Sequence, residues 1–125
     1  MGLHWSDLAP GILDVLFDGT VIPAHPLALD ASRNFDRRPQ RALSRYYLDA
    51  GAGGLAVGVH ATQFAIREAG LYAPVLECAA QTADDWVNRP VAMVCGLAGT
   101  TNQVVTEAET AVATFLQKKS SIFAR

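Results

Sequence analysis

Three short apolar runs recur along the chain about 35 residues apart: Val21-Ile22-Pro23-Ala24, Leu55-Ala56-Val57-Gly58-Val59 and Val91-Ala92-Met93-Val94-Cys95. Runs of this length bounded by turn residues predict strands. Each is followed by a segment whose apolar residues fall at helical spacing, so residues 20–50, 54–83 and 90–117 read as three strand-turn-helix units. That order predicts parallel strands joined by helical crossovers.

The helices are individually legible. Over 6–17, Ser6 is a good N-cap type and Ile12, Leu13, Leu16 and Phe17 share a face, predicting a short helix that closes the bottom of a barrel. Asp18-Gly19 turns the chain into the first strand, and the polar stretch 30–39 makes a loop that is long for a strand-to-helix connection. Over 39–50, Pro39 sits near the first turn, Ala42, Leu43, Tyr46, Tyr47 and Ala50 form the expected packing face, and Gly51 supplies the C-cap. The next helix is predicted to start at Pro74 and to bury Val75, Leu76, Ala79, Ala80 and Ala83, after an extended loop or short helix over 61–73. The last has Thr100 or Thr101 as N-cap and buries Val104, Val105, Ala108, Ala111, Val112 and Phe115.

The fold class expected is α/β, a partial TIM (β/α)8 barrel made of its first three βα units and a short N-terminal helix. A parallel strand buries both faces, so such a repeat continues until the sheet closes or is capped. Eight units need well over twice the 125 residues present. Residues 1–125 are therefore expected to be a single N-terminal fragment of a barrel domain, with 118–125 as a tail that lacks the next glycine turn and apolar strand.

Composition narrows the partners. Half of the residues are apolar and 18% charged, as in ordinary globular proteins, and a net charge of −2 gives no attraction to nucleic acid or anionic membrane. No run approaches the ~20 apolar residues of a membrane span, and Asp7, Asp14 and Asp18 stand where a signal peptide would be basic, so a soluble cytoplasmic protein is expected. Cys78 and Cys95 have neither the spacing nor the histidine partners of a metal site, and both read as buried small hydrophobes.

Candidate chemistry lies after the strands. Gly51-Ala52-Gly53-Gly54-Leu55-Ala56 has glycines spaced like a dinucleotide fingerprint but follows a helix and opens a strand, which is the wrong context. Gly96-Leu97-Ala98-Gly99-Thr100-Thr101 follows a strand and opens a helix, where backbone N–H groups can hold an anion, although a glycine turn with a threonine cap is the plainer reading. In Val59-His60-Ala61-Thr62-Gln63, an imidazole, a hydroxyl and an amide could orient a small carboxylate. His25, after the first strand, has the same two readings as His60, structural or ligand-binding. Arg33, Arg37, Arg38 and Arg41 read as loop surface, Asp84-Asp85 as a solvated helix end, and Tyr46 and Tyr47 as packing residues.

Taken in order, Gly19-Thr20-Val21-Ile22-Pro23-Ala24-His25-Pro26-Leu27, Ala50-Gly51-Ala52-Gly53-Gly54-Leu55-Ala56-Val57-Gly58-Val59-His60 and Ala98-Gly99-Thr100-Thr101 resemble the dihydrodipicolinate synthase / N-acetylneuraminate lyase family over roughly residues 18 to 115. The resemblance implies a TIM barrel that makes or breaks a carbon-carbon bond of pyruvate or another 2-oxo acid through a Schiff base to a lysine on a later strand. It implies no cofactor and no metal, a homo-oligomer, and substrate contacts from Pro23, His25, His60, Ala61, Thr62, Gln63, Gly99 and Thr100. The family's Gly-Thr-Thr-Gly-Glu loop falls on Val59-His60-Ala61-Thr62-Gln63, so its hydroxyl pair and acid are replaced and a divergent substrate is expected. Lys118 and Lys119, the only lysines, fall past the third helix, so no catalytic residue is expected in this chain and it is expected to be inactive alone. The alternative is a non-catalytic α/β module that completes its sheet with a partner chain, since open strand edges invite pairing.

Overall fold

The computed structural model describes residues 4–115. The expected tail at 118–125, with both lysines, lies outside them. Within them the chain is α/β, with four helices and a small two-stranded parallel sheet.

The N-terminal segment is not one helix. A single 3-10 turn, Trp5–Asp7, is closed by the His4 side chain, and α1 (Pro10–Asp18) starts anew with Pro10 at its first position. Proline has no N–H to carry a helix through, which breaks the expected span. Gly19 ends α1 with φ +83.

α2 (Arg37–Asp49) begins two residues before Pro39, because the Asp36 carboxylate accepts the Arg38 N–H at 3.1 Å and caps it. Its buried face also differs from expectation. Gln40, Ser44 and Leu48 are buried at i, i+4 spacing, Leu43 and Tyr47 are half-buried, and Ala42, Tyr46 and Ala50 are exposed. The apolar residues lost the inward face to two polar ones that have partners inside.

β1 (Gly54–Val57) and β2 (Ala92–Cys95) pair in parallel, with Gly54 opposite Ala92 and Val57 opposite Cys95. Val59 and Val91, counted with the strands above, lie outside them. The first expected strand is not a strand either, yet its path is strand-like. The Gly53 and Ala56 N–H groups donate to the Val21 and Pro23 carbonyls at 3.1 and 3.0 Å, and the His25 N–H donates to Ala56 at 2.8 Å. One parallel bridge, Ala24 to Ala56, results. Pro23 has no N–H to give and interrupts the ladder. Residues 20–25, β1 and β2 thus lie side by side in chain order.

Residues 60–66 form two 3-10 turns, His60–Thr62 and Phe64–Ile66. α3 (Tyr72–Trp86) then starts two residues before Pro74, which lies in its first turn, and runs three residues past Ala83. It carries Asp84, half-buried, and exposed Asp85 on its last turn. α4 (Thr101–Phe115) is capped by the Thr100 hydroxyl, which accepts the Gln103 N–H at 3.4 Å.

All the helices of the repeat share one core. Leu55, Val57, Val91 and Met93 from the strands meet Leu48 of α2, Val75, Leu76, Ala79 and Ala83 of α3, and Ala111 and Phe115 of α4 in a single cluster. Side chains alternate across a strand, so these positions are one face of the sheet. On the other face Ala92 is buried, Ala56 half-buried, and Ala24 and Val94 exposed.

Candidate functional site

Two buried polar clusters sit where the parallel strands end. The first is built on His25, fully buried just after the edge segment. Its Nδ1 lies 2.7 Å from the Pro26 carbonyl, which only accepts, so Nδ1 carries the proton. Nε2 then accepts from the Ser44 hydroxyl of α2 at 2.7 Å. Burial holds the His25 pKa below its ordinary value, against the opposing effect of the Pro26 hydrogen bond. The ring is therefore neutral, with both nitrogens used.

Gln40, one turn before Ser44, donates to the Pro26 carbonyl at 3.1 Å and accepts the Ala28 N–H at 2.7 Å. On the other side, Thr62 donates its hydroxyl to the His25 carbonyl at 2.7 Å and accepts the Gly58 N–H at 3.1 Å. Four buried side chains from three segments thus tie the end of the first segment to the end of β1.

The second cluster is charged. Arg67, after the second 3-10 turn, reaches across the ends of β1 and β2: Nη2 donates to the Gly58 and Gly96 carbonyls at 3.1 and 2.9 Å, and Nε to Glu107 at 2.7 Å. The guanidinium lies over the Tyr72 ring at 4.9 Å and the Phe64 ring at 5.4 Å. Its Nη1 is buried and has no hydrogen-bond partner among the described residues. Tyr72 donates its hydroxyl to the same Gly96 carbonyl at 3.0 Å.

Glu107 of α4 is satisfied from three directions. It accepts from Arg67, from Gln103 at 2.9 Å, and from the Ala98 N–H at 3.0 Å. Burial alone would raise its pKa, but those bonds and the Arg67 charge win and lower it. Burial raises the pKa values of Tyr72 and Cys95, so both stay protonated at neutral pH. Neither is primed as a nucleophile.

Backbone approach is close here. A side chain at Gly96 would collide with the Gly58 carbonyl, and Gly58 itself has φ +71 with the Tyr72 ring 3.0 Å from where a Cβ would stand. A cleft of about 480 Å³ opens beside this cluster, lined by Arg67, Tyr72, Gln103, Thr106 and Glu107. A smaller one, about 240 Å³, lies at the opposite end of the sheet between Ile12 of α1 and Arg89.

The sequence candidates divide between these places. His25 and Thr62 meet, but inside the protein and on each other. Pro23 is half-buried and its carbonyl is taken by Ala56. His60, Ala61, Gln63, Gly99 and Thr100 are exposed at the ends of β1 and β2, with His60 against Phe64 at 5.6 Å and Gln63 at φ +71. In the loop 96–101, where an anion was one reading, the Ala98 N–H is held by the chain's own Glu107.

Gln40, Ser44, Arg67, Tyr72, Gln103 and Glu107 were missed by reading the sequence. The available signal was their position: Gln40 and Ser44 precede Leu48 at i, i+4 spacing, and Glu107 precedes Ala111 and Phe115 in the same way. A polar residue on a buried stripe needs a partner.

Cys78 is buried and Cys95 half-buried, both as free thiols. No cluster of metal-ligating side chains occurs among the described residues, and none of their helices is long and apolar enough to cross a membrane. No family model, curated protein or solved structure matches this chain.

Proposed function

We propose that this chain contributes the first three βα units of a TIM barrel of the Schiff-base aldolase/lyase type, related to dihydrodipicolinate synthase and N-acetylneuraminate lyase and acting on 2-oxo acids such as pyruvate. The observation that supports it most is the arrangement of the units. Three parallel segments lie in chain order with α2, α3 and α4 packed on the same face. Right-handed crossovers that always step the same way put every helix on one side, as a barrel requires and a doubly wound sheet does not.

The part of the other face left open at Ala24, Ala56 and Val94 fits the same reading. Ala24, Ala56 and Val94 are small or medium apolar residues pointing where a barrel would have its packed interior. Substrate would meet the strand ends through the exposed His60, Gln63 and Thr100 rather than through Thr62 or His25, which are spent on internal bonds. Residues 4–115 hold no lysine, so the Schiff base must come from elsewhere in the complete barrel.

The test is borohydride trapping with pyruvate and other 2-oxo acids, read by intact mass, on this chain and on any longer product of its reading frame. Adduct on the longer product alone is the expected result. Adduct on neither overturns the lyase reading. In that case the second reading, an assembly module that completes its sheet with a partner chain, gains from the same open edges and face, and light scattering would find a stable stoichiometric complex.

A further inference from the structure

We infer that His25 is an acid-sensitive latch between the first strand-to-helix loop and the rim of β1, closed while the imidazole is neutral and opened by its protonation. The latch has two arms. Through its ring, His25 holds Pro26 and Ser44, and beside it Gln40 holds Pro26 and Ala28, so α2 and residues 26–28 are fixed together. Through its main-chain carbonyl it holds Thr62, which holds Gly58 at the rim. No other described contact joins these two loops by side-chain hydrogen bonds.

A second proton has no good place in this arrangement. The proton on Nε2 would have to be given to Ser44, whose own hydrogen could then turn only to the Gln40 carbonyl, at a long 3.4 Å. The groups facing the ring are Ser44, Gln40 and the edge of Tyr47 from α2, at 5.8 Å, and the Pro26 carbonyl. Tyr47 is the only titratable one. No carboxylate is among the groups that act on the imidazole to compensate its charge. A buried, uncompensated cation is relieved by moving to water, and here that means releasing the segment that carries it.

The sign follows from proton binding. Below about pH 6.5 the opened state binds a proton that the closed state resists, so opening rises as pH falls, by up to about tenfold per pH unit. The experiment is amide hydrogen exchange on the full chain in a pH series from 7.5 down to 5.5 and below, corrected for intrinsic rates and compared between pH 7.5 and 5.5. Ala28 and Gly58, whose N–H groups are held by Gln40 and Thr62, should lose protection by up to about tenfold, while Ala79 and Ala80 in α3 hold theirs. The His25 ring titration, followed by NMR in the same samples, should share the midpoint of that loss. His25→Gln, which cannot charge, should abolish the acid response. Unchanged protection at pH 5.5, a midpoint that follows exposed His4 or His60 instead, or an acid response that survives in His25→Gln would each overturn the latch. The wild-type ring titration decides the matter even if the variant does not fold.

Discussion

The His25 and Arg67 clusters lie at the same end of the sheet, yet one is neutral and saturated while the other is charged and carries a donor to spare. Around His25 both ring nitrogens and the Ser44 and Thr62 hydroxyls meet partners of matching polarity, and the histidine gives up its charge to be there. Around Arg67 the charge is kept, because Glu107 stands 2.7 Å away and two carbonyls share the rest. Burial can be met by neutralising a group or by pairing it, and this small sheet uses both within a few residues.

The largest effect should come from breaking the charged pair. Glu107→Ala leaves the Arg67 guanidinium buried without its counter-charge and frees the Ala98 N–H, and should cost about 3 kcal/mol or more in urea unfolding. Loss of less than about 1 kcal/mol would mean that Arg67 reaches water easily and the pair is not a buried one.

A smaller effect is expected from the neutral cluster. Thr62→Val keeps the shape but strands the Gly58 N–H and the His25 carbonyl, which should cost about 1–3 kcal/mol. If Thr62→Val were as costly as Glu107→Ala, charge would not be what separates the clusters.

Acid should pull the two apart along the pH axis. His25, lowered from 6.5, makes stability fall as pH drops below about 6.5 and through its native value, since the unfolded chain takes up the proton first. Glu107, lowered from 4.5, contributes stability that is present above about 4.5 and is lost as pH falls through its lower native value. Urea midpoints from pH 8 to 3 should therefore show two steps. His25→Gln should remove the upper step, and Glu107→Gln the lower.

The smallest effect lies at the surface, where Trp86 donates to Asp49 at 2.8 Å with Arg45 over its ring. Water can replace these partners, and Asp49→Ala should change stability by no more than about 0.5 kcal/mol.

Much of this was legible from residue order. The apolar runs at 55–59 and 91–95 announced both strands, each overrunning the strand by one or two residues, and the spacing of Val75, Leu76, Ala79, Ala80 and Ala83 announced the inner face of α3. The first segment misled because Pro23 reads as part of an apolar run while removing a ladder donor. α2 misled because Ala42 and Tyr46 are apolar and yet lie outward. Val105 was expected inside α4's buried face and is exposed, while Glu107 occupies that face instead.

The sequence by itself determined the order of the main helices and of the two strands, because hydrophobic period and turn residues act over a few positions and need no knowledge of neighbours. Only the tertiary structure decided which polar groups are inside. Whether Gln40, Ser44, Thr62, Arg67 or Glu107 can be buried depends on partners 9 to 40 positions away in the chain, such as Gly58 and Glu107 for Arg67. A polar side chain goes in only where such a partner already waits, and that meeting is a property of the packed chain.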